Sequence, residues 1–90
     1  MGIAAVKIKI LPTSPETDLE DLKRTVKSLV EKLGGKNCSF EEEAIAFGLR
    51  AIIAFFAWPE ELELEELENT LQKIEEVSSL QIIDMRRALG

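Results

Sequence analysis

The chain has 90 residues, 17 of them acidic and 11 basic, for a net charge of −6. That length fits one domain spanning residues 1–90, and the acidic balance argues against broad phosphate binding, which needs a basic face. With no histidine and a single cysteine, Cys38, neither an internal disulfide nor an imidazole- or thiolate-based metal site is expected.

The first predicted element alternates. Ala4, Val6, Ile8 and Ile10 point one way, and Ala5, Lys7, Lys9 and Leu11 the other, the pattern of a half-buried strand. Pro12 to Pro15 is a turn-rich loop. Thr17 and Glu20 form a T-x-x-E capping box, so a helix is expected from about Asp18. Leu19, Leu22, Val26, Leu29, Val30 and Leu33 share one helical face, and Gly34-Gly35 is a stop signal.

A weaker strand follows over Asn37 to Glu43, where Cys38 and Phe40 alternate with polar neighbours and Glu41 to Glu43 add charge suited to a sheet edge. The Ala46-Phe47-Gly48 corner leads into Leu49 to Trp58, the most apolar stretch of the chain. Its Ile-Ile and Phe-Phe pairs favour strand, and Pro59 ends it. Apolar residues on both alternation faces mark a central strand. Gly48 leaves open which of those faces meets the helices. After a polar loop over residues 59–63, Leu64, Leu67, Leu71 and Ile74 predict a second helix over about Leu64 to Glu76. Val77-Ser78-Ser79 reads as a break, and Leu80 to Met85 as the last strand.

Strand, helix, strand, strand, helix, strand is two βαβ halves, an α+β ferredoxin-like arrangement. It implies a four-stranded antiparallel sheet in the order 4-1-3-2 with both helices on one face. The other face is then uncovered, with Lys7 and Lys9 beside one apolar face of the central strand. An apolar patch rimmed by charge is an interaction surface, and a homodimer through it is one use.

Motifs for covalent chemistry are absent from the sequence: there is no G-x-S-x-G, no phosphate loop and no C-x-x-C. The acidic runs Glu41 to Glu43 and Glu60 to Glu66 read as solvated faces rather than acid–base pairs. Cys38 reads as a packed small residue, since no basic partner is evident. Phe47-Gly48-Leu49 is superficially similar to an RNA-recognition strand, but the first strand offers no aromatic platform and the domain is acidic, so no direct nucleic-acid contact is expected. No apolar run reaches the length of a membrane span, no secretory signal is seen, and a cytoplasmic location is the default expectation. No catalytic residue and no cofactor are assigned.

Three stretches together resemble a known family. VKIKILPTSPETDLEDLKRTVK, EAIAFGLRAI and IEEVSSLQIIDMRRALG are similar to archaeal elongation factor 1-beta and to the C-terminal domain of its eukaryotic counterpart. The resemblance covers essentially the whole chain. It implies a guanine nucleotide exchange factor for the elongation factor 1-alpha GTPase. It also implies partner-binding roles for Phe47 and Gly48 at the corner, and for Asp84, Met85, Arg86, Arg87 and Leu89 in the last segment. In the family the corner phenylalanine packs on the GTPase's second domain, and the terminal segment approaches its magnesium and switch region. Eukaryotic members carry a lysine near the end; this chain ends Ala88-Leu89-Gly90, which leaves Arg86 or Arg87 to supply charge there. Two other readings compete: a homodimeric module binding a small regulatory ligand, and a non-catalytic assembly domain. The first predicts a metabolite-induced thermal shift with no effect on any GTPase, and the second gives neither a thermal shift nor an effect on a GTPase.

Overall fold

A computed structural model describes residues 2–88. The elements run β1 (Ile3–Pro12), α1 (Leu19–Lys32), β2 (Lys36–Ala44), a 3-10 turn (Ala46–Gly48), β3 (Arg50–Pro59), α2 (Leu64–Gln72) and β4 (Val77–Ala88). The strands form one sheet in the order β2-β3-β1-β4, and each adjacent pair is antiparallel. This is the ferredoxin-like order read from the sequence.

The register decides which side of β3 meets the helices. Ala4, Val6, Ile8 and Ile10 of β1 stand opposite Trp58, Phe56, Ala54 and Ile52 of β3. Those eight residues join Leu22, Val26 and Val30 of α1 and Leu67 and Leu71 of α2 in one buried cluster. Gly48 lies before β3 and causes no slip within it. Its φ of 77° belongs to the turn, where a residue without Cβ is favoured. The Trp58 indole packs edge-on to Phe56, with ring centroids 6.0 Å apart, and its Nε1–H donates to the Leu62 carbonyl at 3.0 Å. That bond meets the one polar demand of a large buried ring.

Several element ends differ from the sequence expectation, among them the end of the last strand, which runs to Ala88 rather than Met85. Helix α1 is capped by Asp18 rather than Thr17: the Asp18 carboxylate accepts from the backbone N–H groups of Glu20 and Asp21. The Thr17 N–H is donated to the Ser14 carbonyl, closing the preceding turn, and the N-cap lies one residue later than expected. Helix α2 stops at Gln72, not near Glu76. Its apolar period persists because Lys73 and Ile74 continue as a tighter turn, with N–H bonds to the Thr70 and Leu71 carbonyls. Strand β4 starts at Val77, where a break was expected: Val77 pairs with Pro12 and Ser79 with Leu11. Pairing with β1 overrides the low strand preference of the two serines.

The described body is elongated, 42 × 20 × 18 Å. The Ala46–Gly48 turn lies beyond the Ile10–Ile52 end of the sheet, and the last residues of β4 lie at the other, where Ala88 pairs with Ile3.

Candidate functional site

The β2–β3 corner presents an aromatic ring to solvent. Phe47 is 93% exposed, in a protein whose Phe56 and Trp58 are buried and whose Phe40 and Phe55 are half-buried. Its backbone is left-handed, φ 63° and ψ 31°, a region that costs a residue with a Cβ roughly 1–2 kcal/mol. The turn is closed by two backbone bonds: the Ile45 N–H donates to the Leu49 carbonyl at 2.7 Å, and the Leu49 N–H to the Ala46 carbonyl at 3.3 Å. An exposed ring held in a costly backbone conformation is typical of a binding tip.

At the other end, the alternation of β4 separates the remaining candidates. Asp84 stands opposite Lys7 and Arg86 opposite Ala5, on the uncovered sheet face; Met85 stands opposite Val6 and Arg87 opposite Ala4, on the helix side. A register shift between Lys7 and Ile8 leaves Ile83 unopposed, and it is 41% exposed. The Arg86 Nε lies 3.1 Å from the Asp84 carboxylate. The Arg87 Nε donates to Glu60 at 2.8 Å, tying the strand's end to the β3–α2 loop. Met85 is 53% exposed. Leu89 lies outside the described residues.

Phe47 and Arg86 are not brought together. The register places Arg86 level with Ala57 across β1, so about 25 Å of sheet separates it from the corner, at about 3.3 Å per residue. A partner touching both must reach along most of the molecule.

The uncovered face is less apolar than expected. Ala51 and Ile53 of β3 point to it yet are buried. The Lys9 Nζ meets the Glu43 carboxylate at 2.6 Å, and since Lys9 is on β1 and Glu43 on β2, this pair spans β3 above them, its aliphatic stems covering apolar surface. The Lys7 ammonium sits 4.9 Å from the centre of the Phe55 ring, a cation–π contact. The patch is therefore narrowed to Ile3, Ala5, Phe55 and Ala57, between charged side chains.

The glutamate run is more structured than a solvated face. On the helix side, the Lys23 Nζ of α1 lies 2.7 Å from Glu42, and the Arg50 Nε 3.0 Å from it. Lys23 also meets Glu20 at 3.0 Å. Hydrogen bonds from Lys23 and then Arg50 hold the Glu42 carboxyl below its ordinary value, and those to Glu42 and then Glu20 hold the Lys23 ammonium above its own. Sequence reasoning missed these pairs. The Lys9–Glu43 contact follows only from strand order, and the Lys23–Glu42 contact only from the seating of α1.

Cys38 is half-buried. Burial, and next the Glu31 charge, push its thiol up to about 11, the reverse of what a nucleophile needs. Among the described residues no group of three or more His, Cys, Asp or Glu is placed to hold a metal ion, and no helix is long and apolar enough to cross a membrane.

The fold and its exposed corner define a class first: a ferredoxin-like sandwich with two helices on one sheet face and an exposed aromatic tip. Solved structures share the architecture. The ACT domain from GTP pyrophosphokinase of Chlorobium tepidum matches with a TM-score of 0.60 at 15% identity, over 88% of this chain and 96% of that one. A BlrP1 BLUF structure matches with a TM-score of 0.63 at 15% identity, over 100% of this chain and 57% of that one. At such identities the likeness concerns the fold alone.

Sequence comparison is more specific. The family model of the EF-1 guanine nucleotide exchange domain matches residues 5–88, and the chain belongs to that family. Among its relatives, elongation factor 1-beta of Methanocaldococcus jannaschii is 38% identical over 89 residues, 98% of this chain and 100% of that protein. Elongation factor 1-beta of Methanosarcina barkeri is 38% identical over 88 residues, 97% and 99% of the two chains. That of Methanococcus maripaludis strain C7 is 34% identical over 86 residues, 94% and 97%. The matched span contains both the corner and the end of β4, so the chain is a translation elongation factor of the nucleotide exchange type.

Proposed function

We propose that this chain speeds GDP release from elongation factor 1-alpha and so allows GTP to load, without making or breaking a covalent bond. The observation that carries the reading is Phe47, solvent-exposed in a left-handed corner, within a chain of the exchange-domain family. The ring is the anchor, seated in an apolar pocket of the GTPase. The second contact is the end of β4, with Arg86 offered on the uncovered face and Arg87 held by Glu60 on the helix side.

Exchange of this kind is linkage. A factor that binds the nucleotide-free GTPase more tightly than the GDP-bound form weakens GDP binding by the same ratio. Each tenfold of that ratio takes about 1.4 kcal/mol of differential contact. One buried aromatic anchor supplies about 1.5–3 kcal/mol, so the corner alone accounts for about one to two powers of ten in that ratio.

The test is release of a fluorescent GDP analogue from purified elongation factor 1-alpha, with and without the chain. Stoichiometric chain should accelerate release, and Phe47→Ala should slow it again while the circular dichroism spectrum is kept. No acceleration by the wild-type chain would remove the proposal.

A further inference from the structure

Glu42 and Glu43 are neighbours on β2, yet they serve opposite sides of the sheet. Glu42 stands opposite Ile52, whose side chain enters the helix-side core, and Glu43 opposite Ala51 on the uncovered face. Glu42 meets Lys23 of α1 at 2.7 Å, and Glu43 meets Lys9 of β1 at 2.6 Å. Both pairs lie at the base of the hairpin whose tip is Phe47, because Ala44 and Arg50 are the last partners before the turn. Beyond them the tip is held by its two turn bonds and by the half-buried side chains of Ile45 and Leu49. Strand β2 is an edge strand, so its outer side has no neighbouring strand to stiffen it.

An arm fixed on one face alone can still bend toward the other. Here the two ties pull from opposite faces, one to a helix and one to the strand beyond β3. Arg50 adds a third contact on the helix side, at 3.0 Å from Glu42, and links the two arms of the hairpin.

We infer that Glu42 and Glu43 are positioning residues: by gripping Lys23 on one sheet face and Lys9 on the other, they fix the direction in which the Phe47 corner projects. The use of that fixed corner in nucleotide exchange rests on the function proposed above. A tip held in its binding direction loses less freedom on docking, so the brace acts on affinity rather than on the maximal rate.

Two measurements test this. In the first, a nitroxide is attached at Phe47→Cys in a Cys38→Ser background, and its mobility is read by electron paramagnetic resonance without any partner. Glu42→Gln and Glu43→Gln each sharpen the spectrum, the double variant sharpens it most, and the exchanged pair Lys9→Glu/Glu43→Lys restores the Glu43 part. In the second, Phe47 is kept and GDP release is followed. Exposed ion pairs of ordinary strength predict about threefold more factor for half-maximal acceleration per broken pair and about tenfold for both, with the rate at saturation unchanged. Raising salt from about 0.05 M to about 0.5 M weakens wild type more than the double variant, which keeps only the salt dependence of the Arg86 contact. A label equally mobile in wild type and double variant overturns the brace, whatever the exchange assay gives. A fall in the saturating rate without a change in half-maximal concentration overturns its positioning role. If wild-type chain fails to accelerate release at all, the exchange reading and the use of the brace in it fall together, and the label measurement still decides whether the brace exists.

Discussion

Phe47→Gly removes the exposed ring and the left-handed strain in one substitution, and the two effects have opposite signs. The ring is 93% exposed in the free protein, so its loss opens no cavity. At φ 63° a residue with a Cβ costs roughly 1–2 kcal/mol, and glycine's extra freedom in the unfolded chain offsets about 0.5–1 kcal/mol of the relief. The net expectation is stabilisation by about 0.5–1 kcal/mol, or about 2–8 °C in Tm for a domain of this size. Docking loses the ring's burial, about 1.5–3 kcal/mol, which is about 10- to 100-fold in the concentration needed for half-maximal GDP release. Thermal unfolding and the release assay on one preparation read both numbers. A variant that melts lower than wild type, or one that exchanges nucleotide as well, refutes the reasoning that the corner is strained for the sake of its ring.

Three further outcomes are expected. Trp58→Phe leaves the Leu62 carbonyl without its indole donor and a void beside Phe56, and should cost about 2–3 kcal/mol in urea unfolding. Cys38, its thiol pushed up to about 11, should react with a disulfide reagent at pH 8 roughly a hundredfold more slowly than a free cysteine, and faster as the pH is raised. Glu42 is held below its ordinary 4.5, so its pairing adds stability that is complete above that value and lost as pH falls through the lower folded one; Lys23 is held above 10.5, so its share is complete below that value and lost as pH rises through the higher one. The Glu42→Gln variant should therefore be less stable at neutral pH and show a flatter loss on acidification, followed as the urea midpoint down to about pH 2.

The sequence and the structure agree most where burial repeats. The alternation of Ala4 to Ile10 and the helical period of Leu22, Val26 and Val30 survive in the fold because each is written many times over by the same core. They disagree where one local preference competes with another. Thr17 and Asp18 are both good caps, and adjacent residues of similar capping preference leave the choice between them to the fold. Ser78 and Ser79 look like a break until β1 is present to pair with. The direction of β3 follows from its partners in the sheet rather than from its own residues, since both faces are apolar. At the corner, Gly48 advertises a left-handed turn, but nothing in the residue types shows that Phe47 adopts that conformation as well. Glu42 and Glu43 read as an undifferentiated charged run because their partners, Lys23 and Lys9, are distant in sequence.

The described body measures 42 Å along its longest axis and 20 Å across, with its two candidate contacts at the extremities. A stiff rod that engages one partner at both tips is a gauge of separation. On the function proposed above, it would rest well only on a GTPase whose two docking points stand at the matching interval, and would resist any rearrangement that alters the gap. On that function, selectivity between nucleotide states then depends on span as well as on the contacts at either tip.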